Sequence, residues 1–102
     1  MDKLTDYLTA RLPQRDDFFH ELERYANEHR VPIMDPISMN FVTQLVKVHR
    51  AQHVLEIGTA IGYSALRIAS ENEHVHVTTI ERNEEMYKEA KKNISTYDKE
   101  NQ

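Results

Sequence analysis

Leu4, Leu8 and Leu12 recur every fourth residue with Tyr7 beside them, so the chain opens on an apolar stripe at helical spacing. Pro13 ends that helix. Asp16 and Asp17 are placed to cap a second helix, because a carboxylate there accepts from free backbone N–H groups. Phe18, Leu22, Tyr25, Ala26 and His29 then follow helical spacing. Pro32 restricts the residue before it and breaks the pattern within Val31-Pro32-Ile33-Met34. Asp35-Pro36 is a new start, a capping side chain followed by proline in the first turn. Met39, Val42, Leu45, Val46 and His49 are expected to form the buried face of this third helix.

The pattern changes after residue 50. His53-Val54-Leu55-Glu56-Ile57 is a short β-branched and apolar run ending at glycine, which predicts a strand. Gly62 to Ser70 reads as a helix with Ala65, Leu66, Ile68 and Ala69 inward, and Val75 to Ile80 as a second strand. Asn83 caps a further helix whose first turn carries Glu84 and Glu85, at the positive end of its dipole, with Met86, Ala90 and Ile94 on its inner face. The polar stretch from Ser95 to Gln102 is expected to fray. Strand, helix, strand, helix predicts the beginning of a parallel α/β sheet. Residues 1–50 therefore form an N-terminal helical segment, and residues 51–102 the first β-α-β-α of an α/β domain. Two strands do not make a stable open sheet, and parallel sheets are covered on both faces. The chain is thus expected to be an incomplete domain that stops where a third strand would start.

Composition narrows the class without naming it. With 102 residues, 39% hydrophobic and 29% charged, the chain suits one small globular domain. No run approaches the roughly 20 apolar residues of a membrane span, and the N-terminus lacks the apolar core of a signal peptide. The absence of cysteine excludes a disulfide framework and a thiolate metal site and fits the cytoplasm. A net charge of −4 disfavours binding of nucleic acid through phosphates by these residues.

The candidate chemistry lies at the ends of the strands. The only two glycines, Gly58 and Gly62, fall in one five-residue window directly after the first strand. Glycine is needed where backbone turns with positive φ or where a ligand touches backbone, although a plain βα turn explains the loop alone equally well. Glu81 ends the second strand 23 residues after Gly58, where α/β nucleotide folds accept ribose hydroxyls on an acidic side chain. Loop and carboxylate together indicate an adenosine-type ligand. The loop Gly58-Thr59-Ala60-Ile61-Gly62 misses the G-x-G-x-x-G spacing that suits the pyrophosphate of NAD. S-adenosylmethionine carries no phosphate, and Glu56, one residue before the turn, would attract its ammonium. The alternative for Glu56 is an ion pair with a local base such as Arg67. His74 and His76 would share a strand face, but no third metal ligand is near in sequence, and His20 and His29 lack the i, i+4 spacing of a zinc pair.

Val54-Leu55-Glu56-Ile57-Gly58-Thr59-Ala60-Ile61-Gly62-Tyr63-Ser64 resembles the first motif of the cation-dependent, catechol- and caffeoyl-CoA-type O-methyltransferases, and Thr79-Ile80-Glu81-Arg82-Asn83 resembles the second. Val31-Pro32-Ile33-Met34 and the helix after it are similar to the bacterial branch, and within it to the tRNA 5-hydroxyuridine methyltransferases. The resemblance runs over nearly the whole chain. It implies a Rossmann-like S-adenosylmethionine methyltransferase fold, present here up to the second strand and its helix. It places Glu56 near the methionine end of the cofactor, lets backbone at Gly58 approach it, and gives Ser64 a hydrogen bond to the methionine carboxylate. Glu81 would hold the ribose, Arg82 would lie beside the adenine, and Met39 would pack near the reactive methyl, unless it is simply a core residue. A divalent cation such as magnesium is implied too, but its ligands, two Asp and an Asn, follow the family's later strands. The chain alone is therefore expected to hold a donor half-site, with no catalytic or metal-binding residue and no activity of its own. Its first strand, lacking a partner on one side, is expected to drive self-association. Two other readings stand beside this one: a non-catalytic domain acting only in self-association, and an NAD-type nucleotide-binding module.

Overall fold

A computed structural model describes residues 2–97 and 102. Three helices precede the sheet: α1 (Lys3–Ala10), α2 (Asp17–Glu28) and α3 (Pro36–Val48). They are followed by β1 (His53–Ile57), α4 (Tyr63–Glu71), β2 (His76–Ile80) and α5 (Glu84–Thr96). The two strands pair in parallel, with Glu56 opposite Thr79 and Ile57 opposite Ile80. A right-handed crossover through a helix is the usual way to join neighbouring parallel strands, and α4 occupies that position here.

One core joins the helical segment to the sheet. Phe19, Leu22 and Ala26 of α2 and Met39 of α3 pack with Ile61, Tyr63, Leu66, Ile68 and Val75. The helix caps follow the sequence at two of the expected places. Asp35 accepts from Ser38 N–H at 2.9 Å, and Asn83 accepts from Met86 N–H at 3.1 Å. The N–H of Ser38 first and its Oγ second hold the Asp35 carboxyl below the usual carboxylate range.

Several expectations need correction. Asp16 stands at the N-cap of α2 without a side-chain cap bond; its carboxylate accepts from Tyr97 Oη at 2.5 Å. That contact closes the C-terminal end of α5 against the start of α2, so Ser95 and Thr96 are helical rather than frayed. The expected fraying of residues 98–101 lies outside the described residues. The leucine stripe of α1 is not buried, with Leu4 66% and Leu8 38% exposed, and Leu12 falls beyond the helix end. The main neighbour of α1 is α3 rather than the sheet. On α3, Leu45 is 40% exposed and His49 is exposed, while Thr43 takes a buried place and returns its hydroxyl proton to Asn40 O at 2.8 Å. β2 begins at His76, so His74 is not on the strand, and the His76 ring stacks instead on His53 of β1.

The strand faces divide cleanly. Val54, Glu56, Val77 and Thr79 are half-buried on the helix-covered side, and His53, Leu55, Ile57, His76, Thr78 and Ile80 are exposed on the other. Beyond β2, Val77 N–H donates to Gln102 O at 2.6 Å.

Candidate functional site

The C-terminal ends of both parallel strands meet at the turn from Gly58 to Gly62. The sheet ladder continues into it, because Gly58 and Thr59 N–H both donate to Ile80 O, at 2.8 and 3.2 Å. The chain then leaves the ordinary backbone regions three times: φ is +94° at Gly58, +49° at Ala60 and +90° at Gly62. Gly62 is the N-cap of α4 and lies 3.5 Å from Ala90, measured from where a Cβ would stand. At Gly58 an added Cβ would meet nothing within 4 Å, leaving open space above the backbone. Ala60 carries a side chain in a conformation that L-residues adopt at a cost. What holds it is Glu81, whose Oε1 accepts from Ala60 N–H at 2.8 Å while Oε2 accepts from Asn83 N–H at 2.9 Å. The two N–H donors, Asn83 first and Ala60 second, lower the Glu81 pKa.

From below, the turn is anchored by buried groups. Asn93 of α5 donates to Ile61 O at 2.8 Å. Tyr63, wholly buried, donates to Glu23 Oε2 at 2.5 Å, and Arg15 grips the same carboxylate through Nε at 2.8 Å and Nη2 at 3.1 Å. Burial first and Glu23 second push the Tyr63 phenol well above its ordinary pKa. Helix α2 is thereby fastened to the first residue of α4.

Glu56 lies on the covered face of β1, where an unpaired carboxylate would be costly. Its partners are hydroxyls: Ser64 Oγ donates to Oε2, and Thr79 Oγ1 donates to Oε1 at 2.8 Å. Thr79 is bonded in turn to Thr59 Oγ1 at 2.6 Å. Arg67 is not the partner of Glu56. It pairs with Glu71 at 3.3 Å and lies over the Phe19 ring. Glu56, Gly58, Thr59, Ala60, Tyr63 and Ser64 line a cavity of about 200 Å³ with Pro32, Ile33 and Met34. The segment between α2 and α3 therefore supplies the apolar wall of this polar hollow.

Of the residues singled out in the sequence, the structure gathers Glu56, Gly58 and Ser64 around the cavity and sets Glu81 against its loop. Arg82 is exposed beside Glu81. Met39 is not brought to the cavity: it is fully buried in the core, and Ile33 and Met34 take the wall instead. Thr59, Tyr63 and Thr79 fall within the two motifs but were given no role there, and Glu23 lies outside both. The register that sets Thr79 opposite Glu56 is what reveals the two threonines. A larger groove of about 530 Å³ opens between β2 and α5, lined mainly by Tyr87, Ala90 and Ile94 with Lys91 at its side. It gathers no converging acids.

A parallel strand–turn–helix unit with a glycine turn at the C-terminal ends of the strands is the opening of a Rossmann-like fold. The chain belongs to the O-methyltransferase family, whose model matches residues 11–100. It is similar to a Staphylococcus aureus structure described as a caffeoyl-CoA O-methyltransferase, with 40% identity and a TM-score of 0.83 over 97% of this chain and 46% of that one. An O-methyltransferase from Bacillus cereus in complex with S-adenosylhomocysteine is 27% identical, TM-score 0.78, over 91% of this chain and 44% of that one. A Geobacter sulfurreducens methyltransferase, 21% identical with a TM-score of 0.83, shares the fold over 96% of this chain and 53% of its own. The chain thus spans about half the length of these structures.

Among the described residues, no three His, Asp or Glu side chains converge so as to hold a metal. The described side chains do not fit the divalent cation expected for the family. Among the described residues, no helix is long and apolar enough to cross a membrane.

Proposed function

We infer that this chain forms the donor half-site of an S-adenosylmethionine-dependent O-methyltransferase. The observation that carries this reading is the placement of Glu56 and Glu81 at the ends of paired parallel strands, on either side of a turn with three positive-φ residues. The B. cereus relative in complex with S-adenosylhomocysteine supports the choice of ligand.

The residues fit that ligand part by part. Glu56 offers a carboxylate for the ammonium. The first turn of α4, at Ser64, offers helix N–H groups and a positive dipole end for the methionine carboxylate. Open space at Gly58 admits the chain of the ligand past the backbone. Glu81, already fixed by two N–H donors, keeps further lone pairs for the ribose hydroxyls. Arg82 is assigned to the adenine edge. When bound, S-adenosylmethionine supplies an electrophilic methyl on its sulfonium. This chain's part is to bind and orient that donor.

The acceptor we propose is a hydroxyl of 5-hydroxyuridine in tRNA, in the cytoplasm, on the likeness of residues 31–49 to that branch. With a net charge of −4, these residues would present the donor rather than grip the nucleic acid. Methyl transfer by the whole protein to tRNA, and not to a small catechol, would support this acceptor; the reverse would replace it.

Calorimetric titration with S-adenosylhomocysteine tests the donor reading. Saturable binding, weakened in Glu81→Ala and not competed by NADH, is the expected result. No binding, or competition by NADH, contradicts it.

A second reading rests on the bare sheet face. Leu55, Ile57 and Ile80 stand 66%, 75% and 52% exposed together, and an uncovered apolar strand pair favours self-association. Size-exclusion chromatography showing a concentration-dependent oligomer supports it; a monomer at all concentrations removes it.

A further inference from the structure

Counting protons in the cavity floor gives an assignment that the motifs do not. A carboxylate only accepts, and each hydroxyl has one proton to give. Thr79 donates its proton to Glu56 Oε1, so it can only accept from Thr59, and Thr59 must be the donor in their 2.6 Å contact. Ser64 gives its proton to Glu56 Oε2. All three protons are thus directed toward one carboxylate, two at first hand and one by relay. Lone pairs on Glu56, Thr59 and Ser64 are what the floor has left to offer the cavity that these residues line. Such a surface accepts from a group with several N–H donors and repels an anion.

The bonds also fix where that charge sits. Glu56 and Thr79 face each other across β1 and β2, and Thr59 lies 5% exposed behind them. A Glu side chain has three rotatable bonds. Here one of its oxygens is held from the neighbouring strand and the other from the helix.

We propose that Thr79, seconded by Thr59, is a positioning residue that locks the Glu56 carboxylate in place as the receptor for the primary ammonium of the methyl donor. The inference rests on the donor-site reading above and deepens it. It assigns to two threonine hydroxyls, one in the glycine loop and one on the neighbouring strand, the selection of an amino-acid-bearing nucleoside over a plain one. Ser64 serves the same carboxylate from the helix side, and the ligand's own carboxylate is then met by the N–H groups of the first turn of α4.

The test compares two nucleosides on the full chain. S-adenosylhomocysteine has the ammonium; 5′-methylthioadenosine has the same nucleoside and thioether without it. Thr79→Val, which keeps the shape and removes the proton, is expected to weaken S-adenosylhomocysteine about tenfold, as for a lost positioning bond to a charged group. Binding of 5′-methylthioadenosine is expected to stay within about twofold, and Thr79→Ser to restore the first ligand. Equal weakening of both ligands would show general support of the turn and overturn the proposal, as would no weakening of either. If the unsubstituted chain binds 5′-methylthioadenosine as well as S-adenosylhomocysteine, Glu56 is not an ammonium receptor and the proposal falls. If it binds neither, the donor-site reading fails and takes the proposal with it.

Discussion

Glu81 reaches from the end of β2 to accept the N–H of Ala60, 2.8 Å away, in the one non-glycine residue of the turn with positive φ. The acid proposed to hold the ribose is therefore also the clasp of the turn. Glu81→Ala should weaken S-adenosylhomocysteine more than tenfold, since it removes ligand contacts and frees the turn together. The pKa of Glu81 is lowered in the folded chain, so its contribution is present above the ordinary value of 4.5 and is lost as pH falls through the lowered one. Calorimetry into the acid range should show affinity holding at pH 4.5 and failing only as pH falls through the lowered pKa in the parent chain. An unchanged affinity in Glu81→Ala would remove Glu81 from the site.

The two glycines should part company on substitution. Gly58→Ala and Gly62→Ala both place a side chain at positive φ, each costing about 1–2 kcal/mol of stability. That is a fall of roughly 4–8 °C in Tm for each kcal/mol in a domain of this size. At Gly62 a Cβ meets only ordinary contacts with Ala90, whereas at Gly58 it enters the open space assigned to the ligand. Gly58→Ala should therefore lose S-adenosylhomocysteine far more than Gly62→Ala at similar thermal stability. Losses in the same proportion would mean that the ligand does not pass over Gly58.

Glu23 holds both Tyr63 and Arg15, so the partners are not equivalent. Tyr63→Phe removes one bond and leaves the carboxylate with its guanidinium, for a loss of about 1 kcal/mol. Glu23→Ala leaves a buried phenol without its acceptor and should cost about 2–3 kcal/mol. Denaturant unfolding of the two variants checks the order; equal losses would show that stranding the phenol and Arg15 costs nothing beyond the Tyr63 bond itself, against this account.

Alkali should loosen the junction of α2 and α5. Burial first, and the bond to Asp16 second, push the Tyr97 phenol up from 10.0 to about 12. A raised folded pKa gives stability that is complete below pH 10 and is lost as pH rises through about 12. Thermal unfolding followed from pH 9 upward, about one unit below the unperturbed phenol value, should show Tm falling across that window. In Tyr97→Phe the fall should be smaller; an identical fall would assign it to other groups.

The elements of the second half were legible because short strands, a glycine turn and Asn83 as cap all point one way. β1 falls on residues 53–57 as the apolar run predicts, and Ala65, Leu66, Ile68 and Ala69 are buried as the periodicity predicts. The first half was less so. Leu4 and Leu8 repeat at helical spacing yet stay exposed, because periodicity marks a face without saying what covers it. Asp16 has the residue type of a cap and serves Tyr97, a partner 81 positions away. Of the site, the loop and its two acids could be read from spacing. Thr79 and Thr59 could not, since their meaning depends on strand register, and Met39 stayed open because an amphipathic helix offers the same residue to core and ligand; the structure buries it in the core.

The central claim is that the turn between β1 and α4 receives the methyl donor, and amide NMR during titration with S-adenosylhomocysteine tests it most directly. The account predicts shifts at Gly58, Ala60, Ser64 and Glu81, with His53 and His76 at the far ends of the strands unmoved. Shifts confined to α1 and α3, or none at saturating ligand, would contradict it.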